Sequence, residues 1–125
     1  MADLIPYSDI PIAPILDSRK NEFFTARFIR GRDHALIRDR EDIWLRLEDL
    51  PVHFKQPVLF IGNDFASQYP ILKKLLGPLA HFAPSHFWNL RASGLAGIGI
   101  KRFRAKTFDD PLALNPIYLR TPDIR

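Results

Sequence analysis

The sequence predicts an α/β fold in which three antiparallel strands are followed by parallel strand(s) and packing helices. Three observations lead there. Runs rich in apolar, aromatic and branched residues at 12–17, 22–30 and 34–40 are separated by short polar turns, the pattern of a meander. Pro57 to Ile61 is an unbroken apolar run closed by Gly62-Asn63-Asp64, as expected of a strand buried on both faces. Further along, apolar residues recur at helical spacing between proline and glycine stops.

Taken in order, Asp3 to Pro14 holds three prolines (Pro6, Pro11 and Pro14) and reads as an extended lead-in. Proline withholds a ladder donor, so Pro11 and Pro14 confine this part to an edge, a strand start or a bulge. Ile12 to Asp17 is nearly continuously apolar, with the first strand proper beginning near Pro14; Ser18 to Asn21 is the turn, and Glu22 to Arg30 the second strand. Alternation there sets Phe24, Ala26 and Phe28 on one face and Phe23, Thr25 and Arg27 on the other, so at least one aromatic set belongs to the core. After Gly31-Arg32-Asp33, His34 to Arg40 makes the third strand. Ile43, Leu47, Leu50 and Phe54 follow at helical spacing, with Pro51 limiting the helix to a short or broken one. Ile71 to Leu76 is a short helix with Pro70 in its first turn and Gly77-Pro78 at its end. Leu79 to Ala83 suits a short edge strand. Pro84-Ser85 then opens the longest helical segment, with Ser85 as N-cap and Phe87, Leu90, Gly94, Leu95 and Ile98 along one side. Gly94, Gly97 and Gly99 each cost a helix about 1 kcal/mol, which predicts close packing on the sheet. Lys101, Arg102, Arg104 and Lys106 at its end complement the helix dipole. The proline-rich tail from Asp109 docks as extended chain.

At 125 residues the chain is one domain, 1–125, able to hide roughly two-thirds of its unfolded surface. It contains no cysteine, which excludes disulfides, thiolate metal sites and a thiol nucleophile and suggests a reducing compartment. The longest stretch free of Asp, Glu, Lys and Arg, Leu75 to Leu90, holds Pro78 and Pro84 and cannot span a bilayer as a helix. No secretory signal is legible at the start, so a cytoplasmic location is expected. Net charge is +4, but its distribution is uneven. Residues 19–40 hold seven cations against three anions, whereas 41–54 carry four acids against Arg46 alone. The basic region is bounded.

Motifs for chemistry are sparse. His81 and His86 stand five apart across Pro84, off any common helix face, and neither HExxH nor GxSxG occurs. Gly62-Asn63-Asp64 follows a buried strand, where a phosphate loop would stand, but lacks the further glycines and the lysine, and a capping turn is the plainer reading. Asp17, Glu22 and Asp64 at strand ends could hold magnesium for nuclease work; Arg19 and Lys20 between the first two make a hairpin-end salt bridge an equal reading. Arg19, Arg27, Arg30 and Arg32, interleaved with phenylalanines, could instead form an RNA platform. No catalytic, cofactor-binding or metal-ligating residue is assigned, and no cofactor is expected.

Three segments match a pattern in order. Ile15-Leu16-Asp17-Ser18-Arg19-Lys20-Asn21-Glu22-Phe23-Phe24 resembles the hairpin signature in the C-terminal half of the TsaB (YeaZ) family. Val58 to Tyr69, with Gly62, Ala66 and Tyr69, is similar to that family's second landmark. Asp110 to Arg120 is similar to its closing Pro-x-Tyr-Leu-Arg signature, here Pro116-Ile117-Tyr118-Leu119-Arg120. The matched positions are Asp17, Arg19, Glu22, Gly62, Tyr118 and Arg120, each of which has a structural reading as well. The resemblance implies a ribonuclease H-like lobe of the actin-like ATPase fold, matching the family's C-terminal lobe only, with no counterpart of its N-terminal lobe. It implies a scaffold and no catalyst: a partner for a TsaD-like protein and a TsaE-like ATPase in synthesis of N6-threonylcarbamoyladenosine, meeting tRNA indirectly. A face left by the missing lobe would favour self-association. The family's older grouping with M22 glycoproteases keeps a standalone peptidase as an alternative, beside the nuclease and RNA-binding readings.

Overall fold

Two tight turns set up the meander. The computed structural model describes residues 1–18, 21–63 and 65–119; Arg19, Lys20, Asp64 and Arg120 lie outside the described residues. At the first turn Asn21 takes a left-handed backbone (φ 60°) and the Ser18 amide donates to the Glu22 carbonyl at 2.8 Å. At the second, His34 is left-handed and the Gly31 amide donates to the Ala35 carbonyl at 2.9 Å. Strand β1 (Ile12–Asp17) thereby pairs antiparallel with β2 (Glu22–Arg30), and β2 with β3 (Leu36–Arg46). Pro14 stands opposite an irregular stretch of β2, where the ladder skips from Ile12↔Phe28 to Ile15↔Thr25. Its carbonyl accepts the Thr25 hydroxyl at 2.8 Å. The proline thus occupies a place where a missing donor costs little.

The chain returns through a 3-10 turn (Leu47–Asp49) and α1 (Leu50–His53) to β4 (Val58–Gly62), which lies parallel to β1. Helix α2 (Tyr69–Leu76) then leads to β5 (Ala80–Phe82), parallel to β4. It opens with Pro70 in its first turn and ends at Gly77, whose φ of 53° suits glycine. The result is a mixed α/β architecture with a five-stranded sheet in the order β3-β2-β1-β4-β5.

Alternation divides the sheet into two faces. Ala13, Ile15, Phe23, Leu45, Val58 and Phe60 meet Leu50 of α1, Phe54 just after it, Leu72 and Leu76 of α2, and Phe65, forming the main core. Ile12 and Ile61 point the other way and pack with Ala2, Ile5 and Ala83 in a smaller cluster bordered by Phe28 and Leu36. Arg30 pins the lead-in segment there, its guanidinium donating to the carbonyls of Ile5 and, at 2.8 Å, of His34.

Several expectations are corrected. Strand β3 runs on to Arg46, past the expected end at Arg40, so Ile43 belongs to a strand and not to a helix. Pairing with β2 (Phe24↔Trp44, Phe23↔Leu45) overrides the spacing of Ile43, Leu47, Leu50 and Phe54. All four still pack on the main core, from three successive elements. The last helix, α3, spans Ala92–Arg104 and has no side-chain N-cap; Ser85 opens a separate 3-10 turn. The intervening segment is held elsewhere: the Trp88 indole donates to the Ala83 carbonyl at 2.6 Å, and the Leu90 amide to Asn63 Oδ1 at 2.8 Å. Nor do the glycines of α3 seat it on the sheet. Gly94 abuts Leu4, Gly97 and Gly99 have open space around them, and α3 has no buried residue.

Candidate functional site

Strands β1, β4 and β5 are parallel, so their C-terminal ends finish on one side of the sheet, where open α/β sheets place ligands. Ile15 is level with Gly62, which puts Asp17 just beyond Gly62 on the neighbouring strand. Glu22 begins β2 across the hairpin, next to the Asp17↔Phe23 pair. The fold therefore gathers Asp17, Glu22 and Gly62 at one end. Arg19 and Asp64 lie outside the described residues.

The turn after Gly62 is filled. A Cβ on Gly62 would collide with Phe65 and lie 2.9 Å from Gln68 Oε1 and from the Ile15 carbonyl oxygen. Gln68 is 3% exposed, and its Oε1 has no hydrogen-bond partner among the described residues. Beyond it, Phe65 and Tyr69 contact the Trp88 ring at centroid distances of 5.5 and 5.6 Å. Ring and amide side chains thus occupy the space beside Gly62. Asn63 acts as a tether, as its bond from Leu90 shows. Among the described residues no group of three or more His, Asp or Glu is placed to hold a metal ion.

The arginines of the basic region are largely engaged by the protein itself. Arg27 pairs with Asp39, and Arg30 is committed to backbone carbonyls. Arg38 pairs with Asp42 at 2.7 Å and lies 4.9 Å above the Phe28 ring. Of the described arginines proposed for an RNA platform, Arg27 and Arg30 thus already carry intramolecular partners.

The sheet face opposite the main core presents the larger feature, a groove of about 750 Å³. Its floor is Pro14 and Leu16 of β1, Phe24, Ala26 and Phe28 of β2, and Leu36 of β3. Met1, Ile98 of α3 and Ile117 to Leu119 of the tail border it, and Asp3, Arg38 and Asp42 supply charge at its rim. Tyr118 lies here, 77% exposed, in the same groove as Leu16, the chain neighbour of Asp17. Burial pushes the Met1 ammonium below the usual α-amino pKa, with Asp3 opposing the shift. Sequence reasoning did not find this groove. The signal for it was the second aromatic set of β2, Phe24 and Phe28, which stays outside the main core, with Phe28 bordering the smaller cluster.

Comparison with known proteins returns no matching family model and no similar curated sequence. Among the described residues no helix is long and apolar enough to cross a membrane.

Proposed function

We propose that the chain is a non-catalytic scaffold lobe of the TsaB kind, with a ribonuclease H-like fold, supporting a TsaD-like protein in synthesis of N6-threonylcarbamoyladenosine in tRNA. The observation that carries this reading is the sheet. An antiparallel meander joined through β1 to two parallel strands, in the order β3-β2-β1-β4-β5, is the arrangement that the motif resemblance implies. Asp17, Glu22 and Gly62, drawn from two separate motifs, meet at one end of it. The apolar groove with its charged rim is the kind of surface that protein partners cover. The reading places the protein in the cytoplasm, with a TsaE-like ATPase as a further member of the complex.

The test is retention of the chain by a tagged TsaD-like protein from the same source. Retention is expected, and Leu16→Glu, which puts a charge on the groove floor, is expected to weaken it by about tenfold or more, since burying an unpaired charge is costly. Failure of the chain to be retained, both alone and when fused to a TsaB N-terminal lobe, would overturn the reading. Hydrolysis of peptide or nucleic acid by the metal-replete chain, abolished by Asp17→Ala, would replace it with the enzyme alternative.

A further inference from the structure

The C-terminal end of α3 carries two bare aromatic rings among cations. Phe103 and Phe108 are 70% and 66% exposed and meet edge to face with centroids 5.8 Å apart. Around them stand Lys101, Arg102, Arg104 and Lys106. Arg102 is paired with Asp109 at 2.8 Å, while Lys101, Arg104 and Lys106 have no carboxylate partner among the described residues. The helix closes in a Schellman arrangement: the Lys106 amide donates to the Phe103 carbonyl and the Thr107 amide to the Arg102 carbonyl, both at 3.0 Å. This sets Lys106 in a left-handed conformation, φ 54°, where glycine is favoured. The helix dipole accounts for cations in the last turn. It accounts for neither the exposed rings nor a lysine in glycine's place.

We propose that this helix end binds single-stranded nucleic acid, a base stacking on the Phe103–Phe108 pair while Lys101, Arg104 and Lys106 contact the flanking phosphates. Sequence-tolerant stacking beside a cationic track is how unpaired strands are held. A membrane surface is the poorer match, because the apolar residues of α3 do not share a side: Leu95 and Ile100 point about 140° apart. The inference is independent of the scaffold reading and moves nucleic-acid contact from the hairpin, where Arg27 and Arg30 are engaged within the protein, to the end of α3.

The test is fluorescence anisotropy of the full chain with a labelled single-stranded oligouridylate and its deoxy counterpart, whose relative affinities distinguish RNA from DNA. Phe103→Ala/Phe108→Ala is expected to weaken binding by about fivefold or more, the scale of one lost base stack. Lys106→Gly is expected to relax the helix end and raise thermal stability while weakening binding, and to flatten the slope of log affinity against log salt by about 0.7, one single-strand phosphate contact. Both variants alter exposed positions, so each is expected to keep the parent's circular dichroism spectrum, which is to be recorded alongside. No binding by the parent chain, or unchanged affinity in either variant, overturns the proposal. So does binding to phosphatidylglycerol vesicles through the same residues without oligonucleotide binding.

Discussion

Gly62 shows how a single residue joins the core to the strand-end group. Its missing Cβ is what lets Phe65, Gln68 and the Ile15 carbonyl converge, and a methyl group there meets backbone as well as side chain. Gly62→Ala is therefore expected to destabilise the fold by about 2 kcal/mol, the middle of the range for overpacking, measured as a lower urea midpoint with unchanged slope. An unchanged midpoint would mean that the turn can open, and with it the space that Phe65 and Gln68 fill. Gln68 itself was not legible in the sequence as anything but a polar residue near a turn. Its burial follows from α2 folding back over the end of β4, a tertiary event that no local pattern encodes.

At the scale of elements, α3 makes a contrast with α2. Leu72 and Leu76 commit α2 to the core, whereas α3 keeps three glycines and buries nothing. Gly97→Ala and Gly99→Ala enter open space and are expected to stabilise α3 by about 0.5–1 kcal/mol each, seen as increased helical ellipticity and slower amide exchange over 92–104. No gain would mean that the glycines serve a contact which an added methyl blocks. The difference between legible and illegible elements has a physical origin. Strand β2 falls at the expected residues and β1 ends where expected, because Asn21 and the turn chemistry mark those ends locally; β1 itself starts at Ile12, ahead of the expected start near Pro14. The end of β3 and the start of α3 are decided at a distance, by the ladder to β2 and by Trp88 and Leu90 bonding to Ala83 and Asn63. The same division holds for the candidate sites. The nearness of Asp17 to Gly62 follows from β1 and β4 being parallel neighbours; the apolar run at 57–61 announced a buried parallel strand but not which strand it would lie beside. The alternation of β2 marks Phe24 and Phe28 as a second aromatic face, but which elements leave that face uncovered is decided by the tertiary fold.

For the whole molecule, the uncovered face sets its behaviour in solution. Leu16, Phe24 and Phe28 sit in a broad apolar groove that α3 and the tail only border. The chain is expected to form a dimer or weaker oligomer through this face, with a concentration-dependent mass by light scattering and a shift to monomer in Phe24→Glu. A constant monomer mass up to about millimolar concentration, where contacts of about 4 kcal/mol would still register, would count against it. The margins of the sheet limit how such copies can meet. One outer strand, β3, is studded with Arg38, Asp39, Arg40, Glu41 and Asp42, all exposed, and the other, β5, is three residues long. Neither offers the long, flat, neutral row of free amides on which another chain could crystallise into a continuous ribbon. Copies that crowd together must therefore meet flank to flank through side chains, an encounter that dilution reverses, and the fold carries its own barrier against fibrils.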